Sequence, residues 1–297
     1  MTESQETRRA APSVAWPLEG RTQRSCVFGV GPFRIAAVQM ISTPEVAPNL
    51  ATAARLVAEA AAQGAQLVAL PEYFPIIGGS DADRLAVREK AGSGPIQDFL
   101  AAAAAQHGIW LVGGSIPLMA DDPAKLRNTC LVFDPAGRCV ARYDKIHLFG
   151  FRKGAEFYDE AATIEAGVPE PVAFDTPFGR IGLGICYDLR FPELFRQLGA
   201  LDLIVLPAAF TDTTGRAHWE MLLRARAVEN QCYLLAAAQG GLHPTGRMTH
   251  GNSMIVDPWG DVLARIDKGE GVVVAELDPA RIAEVRASLP ALHHRRL

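Results

Sequence analysis

The sequence predicts an α/β fold, a single domain with two layers of β-sheet held inside helices, and three observations predict it. From residue 33 onward, short apolar runs of β-type composition alternate with helical patterns. Strands at this density, mixed with helices, point to two layers of sheet inside helices. No internal repeat and no Ser/Gly-rich linker divides residues 33–297. The expected organisation is an N-terminal extension at 1–31, read as mobile or loosely docked, followed by one domain at 32–297.

The elements follow in order. Residues 33–39 read as a strand. The stretch 49–63 reads as a helix, with Leu50, Ala53, Val57 and Ala60 on one stripe and Gly64 as the stop. Residues 65–70 form a second strand that runs into Pro71-Glu72. A helix at 96–107 ends at Gly108 and leads to a strand at 109–112. Runs at 128–133 and 138–143 flank Asp134-Pro135-Ala136-Gly137, a hairpin signal. Further strands are expected at 180–186, 203–206, 232–237, 253–256, 262–264 and 272–276. Helices are expected at 192–198, 217–229 and 279–287. Trp219 and Leu223 mark one packed face of the second of these.

Composition excludes several functional classes. The chain has 297 residues, 49% hydrophobic, with 29 Lys+Arg against 33 Asp+Glu. That near-balance supplies no basic field for nucleic acid or anionic lipid. The uncharged stretch 99–120 resembles a membrane span, but Gly108, Gly113, Gly114 and Pro117 break it, so no transmembrane segment is expected. Arg8-Arg9 is followed by no apolar signal core. Five cysteines without a Cys-x-x-Cys pair argue against a disulfide framework or a structural zinc site, and place the chain in a reducing, cytoplasmic setting.

Chemistry concentrates at three places. Cys186 ends the run Ile181-Gly182-Leu183-Gly184-Ile185, in which one strand face is apolar and the other nearly bare. Glycine on a strand face marks close approach of a backbone or ligand. Pro192 then suits a helix's first turn, so the thiol is expected beside backbone N–H groups that favour its thiolate. Such a nucleophile needs a base and a stabiliser of negative charge. None of the seven histidines has a suited setting; His147 reads as a loop hydrogen-bonding residue. Glu72 ends a buried strand, where a carboxylate is costly unless paired or used. Lys145 has three readings: pairing Glu72, polarising a carbonyl, or plain solvation.

Together, LVALPEYF (67–74), YDKIHLF (143–149), GLGICYDLRFPELF (182–195), HWEMLLRARAVENQCYLLAAAQ (218–239) and HGNSMIVDPWG (250–260) resemble the nitrilase superfamily of carbon–nitrogen hydrolases. The resemblance covers residues 34–296 and is nearest the amidases grouped with deaminated glutathione amidase, with the omega-amidases as near relatives. It implies an α-β-β-α sandwich, a homodimer, and a Glu72–Lys145–Cys186 constellation. It also implies a second glutamate between the Lys and Cys motifs. Glu160 is the best placed, with Asp159 and Glu165 as competitors, because 150–158 has no firm register.

The expected reaction is hydrolysis of a small-molecule amide, by way of a thioester and with release of ammonia. Glu72 acts as base, Lys145 and the Tyr187 N–H stabilise the oxyanion, and Glu160 positions amide or water; one such donor is worth about 3 kcal/mol. No metal and no organic cofactor is required. Tyr187, Arg190, Phe210 and Thr211 are the candidate substrate-binding residues, although Arg190 suits the holding of the loop after Cys186 equally well. Omega-amidase, N-carbamoyl amidohydrolase and nitrilase activities are the alternatives. Nitrilase ranks lower because Tyr187 stands where that branch usually carries Trp. A non-catalytic scaffold is the rival from another class.

Overall fold

The computed structural model describes residues 32–296. The expectations for residues 1–31, Cys26 included, lie outside the described residues. The first strand, β1 (Phe33–Gln39), carries small and β-branched residues buried on both faces. Helix α1 (Val46–Ala62) starts earlier than its stripe suggests, since Pro48 falls within the first turn, where a missing N–H costs nothing. Strand β2 (Leu67–Ala69) follows. Helix α2 (Asp81–Ala86) and helix α3 (Pro95–His107) come next; α3 begins on proline and closes on left-handed Gly108. Then come β3 (Trp110–Val112), β4 (Ile116–Met119), β5 (Leu126–Phe133) and β6 (Cys139–Asp144).

The unregistered segment 150–158 is a hairpin of β7 (Gly150–Lys153) and β8 (Glu156–Asp159). Beyond it lie β9 (Ala173–Thr176), β10 (Gly179–Leu183), helix α4 (Pro192–Gln197) and β11 (Leu203–Ala208). Helix α5 (Asp212–Asn230) begins five residues before the expected start. Thr211 caps it by accepting from the Thr214 N–H, and Gly215 sits in its first turns because a Cβ there would lie 2.2 Å from the His250 ring. The chain finishes with β12 (Tyr233–Ala238), β13 (Ser253–Val256), β14 (Val262–Ile266), β15 (Gly271–Leu277) and helix α6 (Pro279–Ser288).

Two large sheets form beside the β7–β8 hairpin, in the orders β15-β1-β2-β3-β5-β4, with β6 also on β5, and β14-β13-β12-β11-β10-β9. Each contains three neighbouring parallel strands, β1-β2-β3 and β10-β11-β12. The packing reads directly from strand alternation. Ile35 and Ala37 of β1, with Leu67 and Ala69 of β2, join Ile181, Leu183, Leu203 and Val205 in the core that includes the second sheet. Their neighbours Ala36, Val38 and Val68 instead meet Ala53, Leu56, Val57, Ile96 and Leu100 of α1 and α3. Both faces of a sheet are therefore covered, as the two-layer α/β expectation requires.

The bare face of β10 is not open to a ligand. A Cβ on Gly182 would lie 2.6 Å from Leu201, and one on Gly184 3.0 Å from Phe195, so the glycines admit the α4 layer. The strand also ends at Leu183, three residues before the expected Cys186. The Asp188 carboxylate accepts from the Ile185 N–H at 2.8 Å and turns the chain into a 3-10 helix at Cys186–Arg190.

Candidate active site

The chemistry gathers beyond the carboxyl ends of strands from both sheets, where open parallel arrays leave a crevice. Glu72 lies three residues past β2 and Lys145 is the first residue past β6. Cys186 follows β10, and Phe210 and Thr211 follow β11. Four separate strands thus deliver side chains from positions 72 to 211 of the chain to one place.

Lys145 is the hub. Its side chain is fully buried, and its ammonium donates to Glu72 Oε1 at 2.8 Å and to Glu160 Oε2 at 2.9 Å and Oε1 at 3.1 Å. Burial alone would depress its pKa, but the Glu160 and Glu72 charges outweigh it and hold the pKa well above the ordinary lysine value. Glu160 is half-buried. The Lys145 charge and the Phe149 N–H, at 2.7 Å, overcome that burial and keep its carboxyl below the usual range. Asp159 instead caps the following 3-10 turn, and Glu165 pairs with Arg127. Of the three candidates for the second glutamate, only Glu160 reaches Lys145.

Cys186 carries φ +51°, a left-handed conformation unusual for a side chain with a Cβ. Its thiol is not electropositively poised, contrary to the sequence expectation. Burial first, and then the Glu72 charge and hydrogen bond, push its pKa well above the ordinary thiol value against the opposing pull of Lys145. Beside burial, a charge count contributes. Two carboxylates share one ammonium, so the buried cluster is net negative and opposes a thiolate. Helix α4 begins six residues beyond Cys186, too far for its N-terminus to help.

Several positioning residues escaped the sequence reading. Asn128 of β5 donates to Glu72 Oε1 at 2.9 Å, and its polar side chain inside a buried strand was the available signal. Tyr73, at φ +55°, donates its hydroxyl to Glu160 at 2.8 Å and its N–H to Ser115 Oγ. Gln239 holds the Glu72 carbonyl from the end of β12. Asp188 accepts from Ile185 N, Tyr143 Oη and both His147 N and Nδ1, so His147 is a loop residue of the kind expected. Apart from Ile185 beside Asp188, their partners lie 41 to 167 residues away, beyond the reach of any local motif.

An inner cavity of about 20 Å³ is lined by Cys186, Glu72 and Glu160 together with Tyr187, Arg190, Phe210 and Thr211. All four candidate substrate-binding residues are therefore on its wall. Thr211 doubles as the α5 cap. Arg190 lies over the Tyr187 and Phe210 rings and contacts His218 Nδ1 at 3.2 Å, serving wall and loop together. Among the described residues no group of three or more His, Cys, Asp or Glu is arranged to hold a metal ion.

A family model described as carbon–nitrogen hydrolase matches residues 34–287. The chain belongs to the carbon–nitrogen hydrolases of the nitrilase superfamily. It is 41% identical over 269 residues to a deaminated glutathione amidase of Synechocystis, covering 89% of this chain and 98% of that protein. It is 40% identical over 268 residues to omega-amidase NIT2 of Homo sapiens, covering 89% and 95%. Among solved structures, the C. elegans NitFhit protein superposes with a TM-score of 0.81 at 39% identity, over 90% of this chain; the chain spans 65% of that protein's length. A Glu-to-Gln mutant of a Nesterenkonia amidase, in which acrylamide has added to the active-site cysteine, gives 0.70 at 30% identity, over 87% of this chain and 98% of that one. Family membership makes this chain a hydrolase of carbon–nitrogen bonds other than peptide bonds, built on the expected sandwich.

Proposed function

We propose that this carbon–nitrogen hydrolase cleaves a terminal amide of a small carboxylic acid or of deaminated glutathione, with Cys186 as nucleophile. The observation that carries the reading is Lys145 clamped between Glu72 and Glu160, with the buried Cys186 thiol on the same cavity wall as both glutamates. The thiol proton passes to Glu72 as sulfur attacks the carbonyl carbon. Moving the proton within the cluster avoids adding negative charge to a net-negative site. Neutralised, Glu72 releases its hold on Lys145, whose charge then meets the tetrahedral oxyanion together with the Tyr187 N–H. The amine leaves with the proton from Glu72, ammonia in the case of a primary amide, and a thioester remains. Water, deprotonated by Glu72 and oriented by Glu160, attacks the thioester, and the returning proton restores the thiol.

The test is amide hydrolysis by purified protein across deaminated glutathione, 2-oxo acid amides, N-carbamoyl amino acids and simple nitriles. Cys186→Ala is expected to abolish turnover, and Glu72→Gln to lower kcat by about 10² to 10⁴-fold. Full activity in Cys186→Ala would overturn the reading. The similarity to omega-amidase NIT2 supports 2-oxo acid amides as the second substrate class.

Two further attributes accompany this reading. Catalysis needs Cys186 reduced, and Cys130, Cys139 and Cys232 are likewise free thiols, which supports a cytoplasmic setting. A homodimer is supported by a face where Met221 and Val228 of α5 and Trp259 of the β13–β14 turn are exposed around a groove of about 770 Å³. Glu220, Arg224 and Arg265 on the same rim supply both signs of charge for a self-complementary contact. None of Glu72, Lys145, Glu160 and Cys186 lines that groove.

A further inference from the structure

Away from the catalytic cluster, the last turns of α4, α5 and α6 meet the 3-10 turn Ala291–His294 around a cavity of about 410 Å³. Arg196, Asn230, Arg286, His293 and Arg295 line it, and none of Glu72, Lys145, Glu160 and Cys186 does. Its size is that of a small-molecule pocket.

Its charge sets it apart. No carboxylate lines it, whereas Glu220 lines the α5 groove, Glu72 and Glu160 the inner cavity, and Asp159 the space beyond that cavity. The chain as a whole carries a net charge of −4, so three guanidiniums around one carboxylate-free cavity do not follow from composition.

Helix ends account for part of the cluster, because the carboxyl end of a helix attracts cations. Arg286 is used in that way. Its Nε donates to the Gln231 carbonyl at 3.2 Å, its Nη2 to the Leu201 carbonyl, and its Nη1 lies 3.8 Å from Asp202. Arg196 and Arg295 have no such use: among the described residues neither makes an ion pair or a side-chain hydrogen bond. The end of α5 is already closed without them, since the Gln231 N–H reaches the Ala227 and Val228 carbonyls.

Asn230 supplies an independent sign of a ligand. It is only 3% exposed, and its Nδ2 donates to the Arg226 carbonyl at 2.9 Å. Its Oδ1 has no donor among the described residues. A buried polar group on a cavity wall is expected to be satisfied, here by a hydroxyl of whatever fills the cavity.

We propose that this cavity binds a phosphoryl group, with Arg196 and Arg295 meeting its charge and Asn230 accepting from a hydroxyl on or beside the phosphorus. A carboxylate would bring one charge and no donor, whereas a phosphate matches two free guanidinium forks and carries or adjoins a hydroxyl. Free phosphate and a phosphate monoester share this chemistry. The site is separate from the amide-cleaving cluster, and the proposal stands or falls apart from the amidase reading.

The test is calorimetry on the intact protein with inorganic phosphate, glycerol 3-phosphate and, as a monoanion control, acetate. At least one of the two phosphates is expected to bind one site per chain with a Kd of about 1 mM or below, and acetate at least tenfold more weakly. Equal binding of both phosphates assigns the free anion, and binding of the ester alone assigns a phosphorylated metabolite. Arg196→Met combined with Arg295→Met is expected to weaken that binding tenfold or more while leaving amide hydrolysis unchanged. Asn230→Asp, which keeps the shape and adds a negative charge, should weaken it as well. Should Asn230→Asp fold poorly by thermal denaturation, the arginine variants, which alter less buried side chains, carry the comparison. Absence of binding by either phosphate at about 10 mM, or binding unmoved by the paired arginine substitutions, would overturn the proposal.

Discussion

At the scale of single residues, the candidate site turns on where one proton rests. Burial and the Glu72 charge keep the Cys186 thiol protonated at neutral pH, so its alkylation by a small reagent is expected to rise only at a pH above that of an ordinary thiol. Replacing Glu72 by Gln removes a charge that raises the thiol pKa, and the pH–rate profile should move to lower pH. A profile unmoved by Glu72→Gln would separate the two groups. Glu160 titrates in the opposite sense. Its folded pKa lies below its unfolded one, so its stabilising contribution is present above the ordinary carboxyl range and is lost as pH falls through the depressed folded value. Glu72, Lys145, Glu160 and Cys186 were all legible as residue types in local motifs. Their electrostatic balance was not, since it depends on two carboxylates from positions 88 residues apart meeting one lysine.

At the scale of elements, sequence pattern located most strands and helices because the central strands of the sheets are buried on two faces and read as continuous apolar runs. Two of the departures share a cause, while β4, α2 and β9 were also missed. The β7–β8 hairpin is partly exposed and has no apolar face to announce it, and the end of β10 is set by a side chain, Asp188, rather than by hydrophobicity. That carboxylate organises the Cys186 turn. Asp188→Asn replaces an acceptor with a donor facing the Ile185 N–H or the Tyr143 hydroxyl, and is expected to cost about 2 to 3 kcal/mol by urea denaturation. Activity should fall at least tenfold with Cys186 still present, a loss that a purely structural change of equal stability elsewhere would not produce. The loop after β12 behaves similarly. Burial lowers the His243 pKa to about 4, against 6.5 for an ordinary histidine. Between those values the unfolded chain holds a proton that the folded chain does not, so stability is full above pH 6.5 and declines toward pH 4. The loss is about 3 kcal/mol, and His243→Gln should flatten that part of the stability–pH curve.

At the scale of the whole molecule, the sandwich brings the ends of strands from two sheets to one crevice, and the family match spans nearly all of the described domain. Among the described residues no helix is long and apolar enough to cross a membrane. The exposed apolar rim on α5 leads to a measurable expectation: light scattering should give twice the chain mass, and Met221→Asp should halve it without loss of the folded signal. The narrow inner cavity has a practical consequence for anyone labelling this enzyme. Cys186 is shielded by a space fit for about one water, whereas Cys139 is exposed on β6. Among the described cysteines, bulky maleimides and dye conjugates are therefore expected to modify Cys139 and leave catalysis intact. Selective covalent inhibition calls for compact, uncharged electrophiles, with Cys139 first replaced by serine in any screen that counts modified thiols.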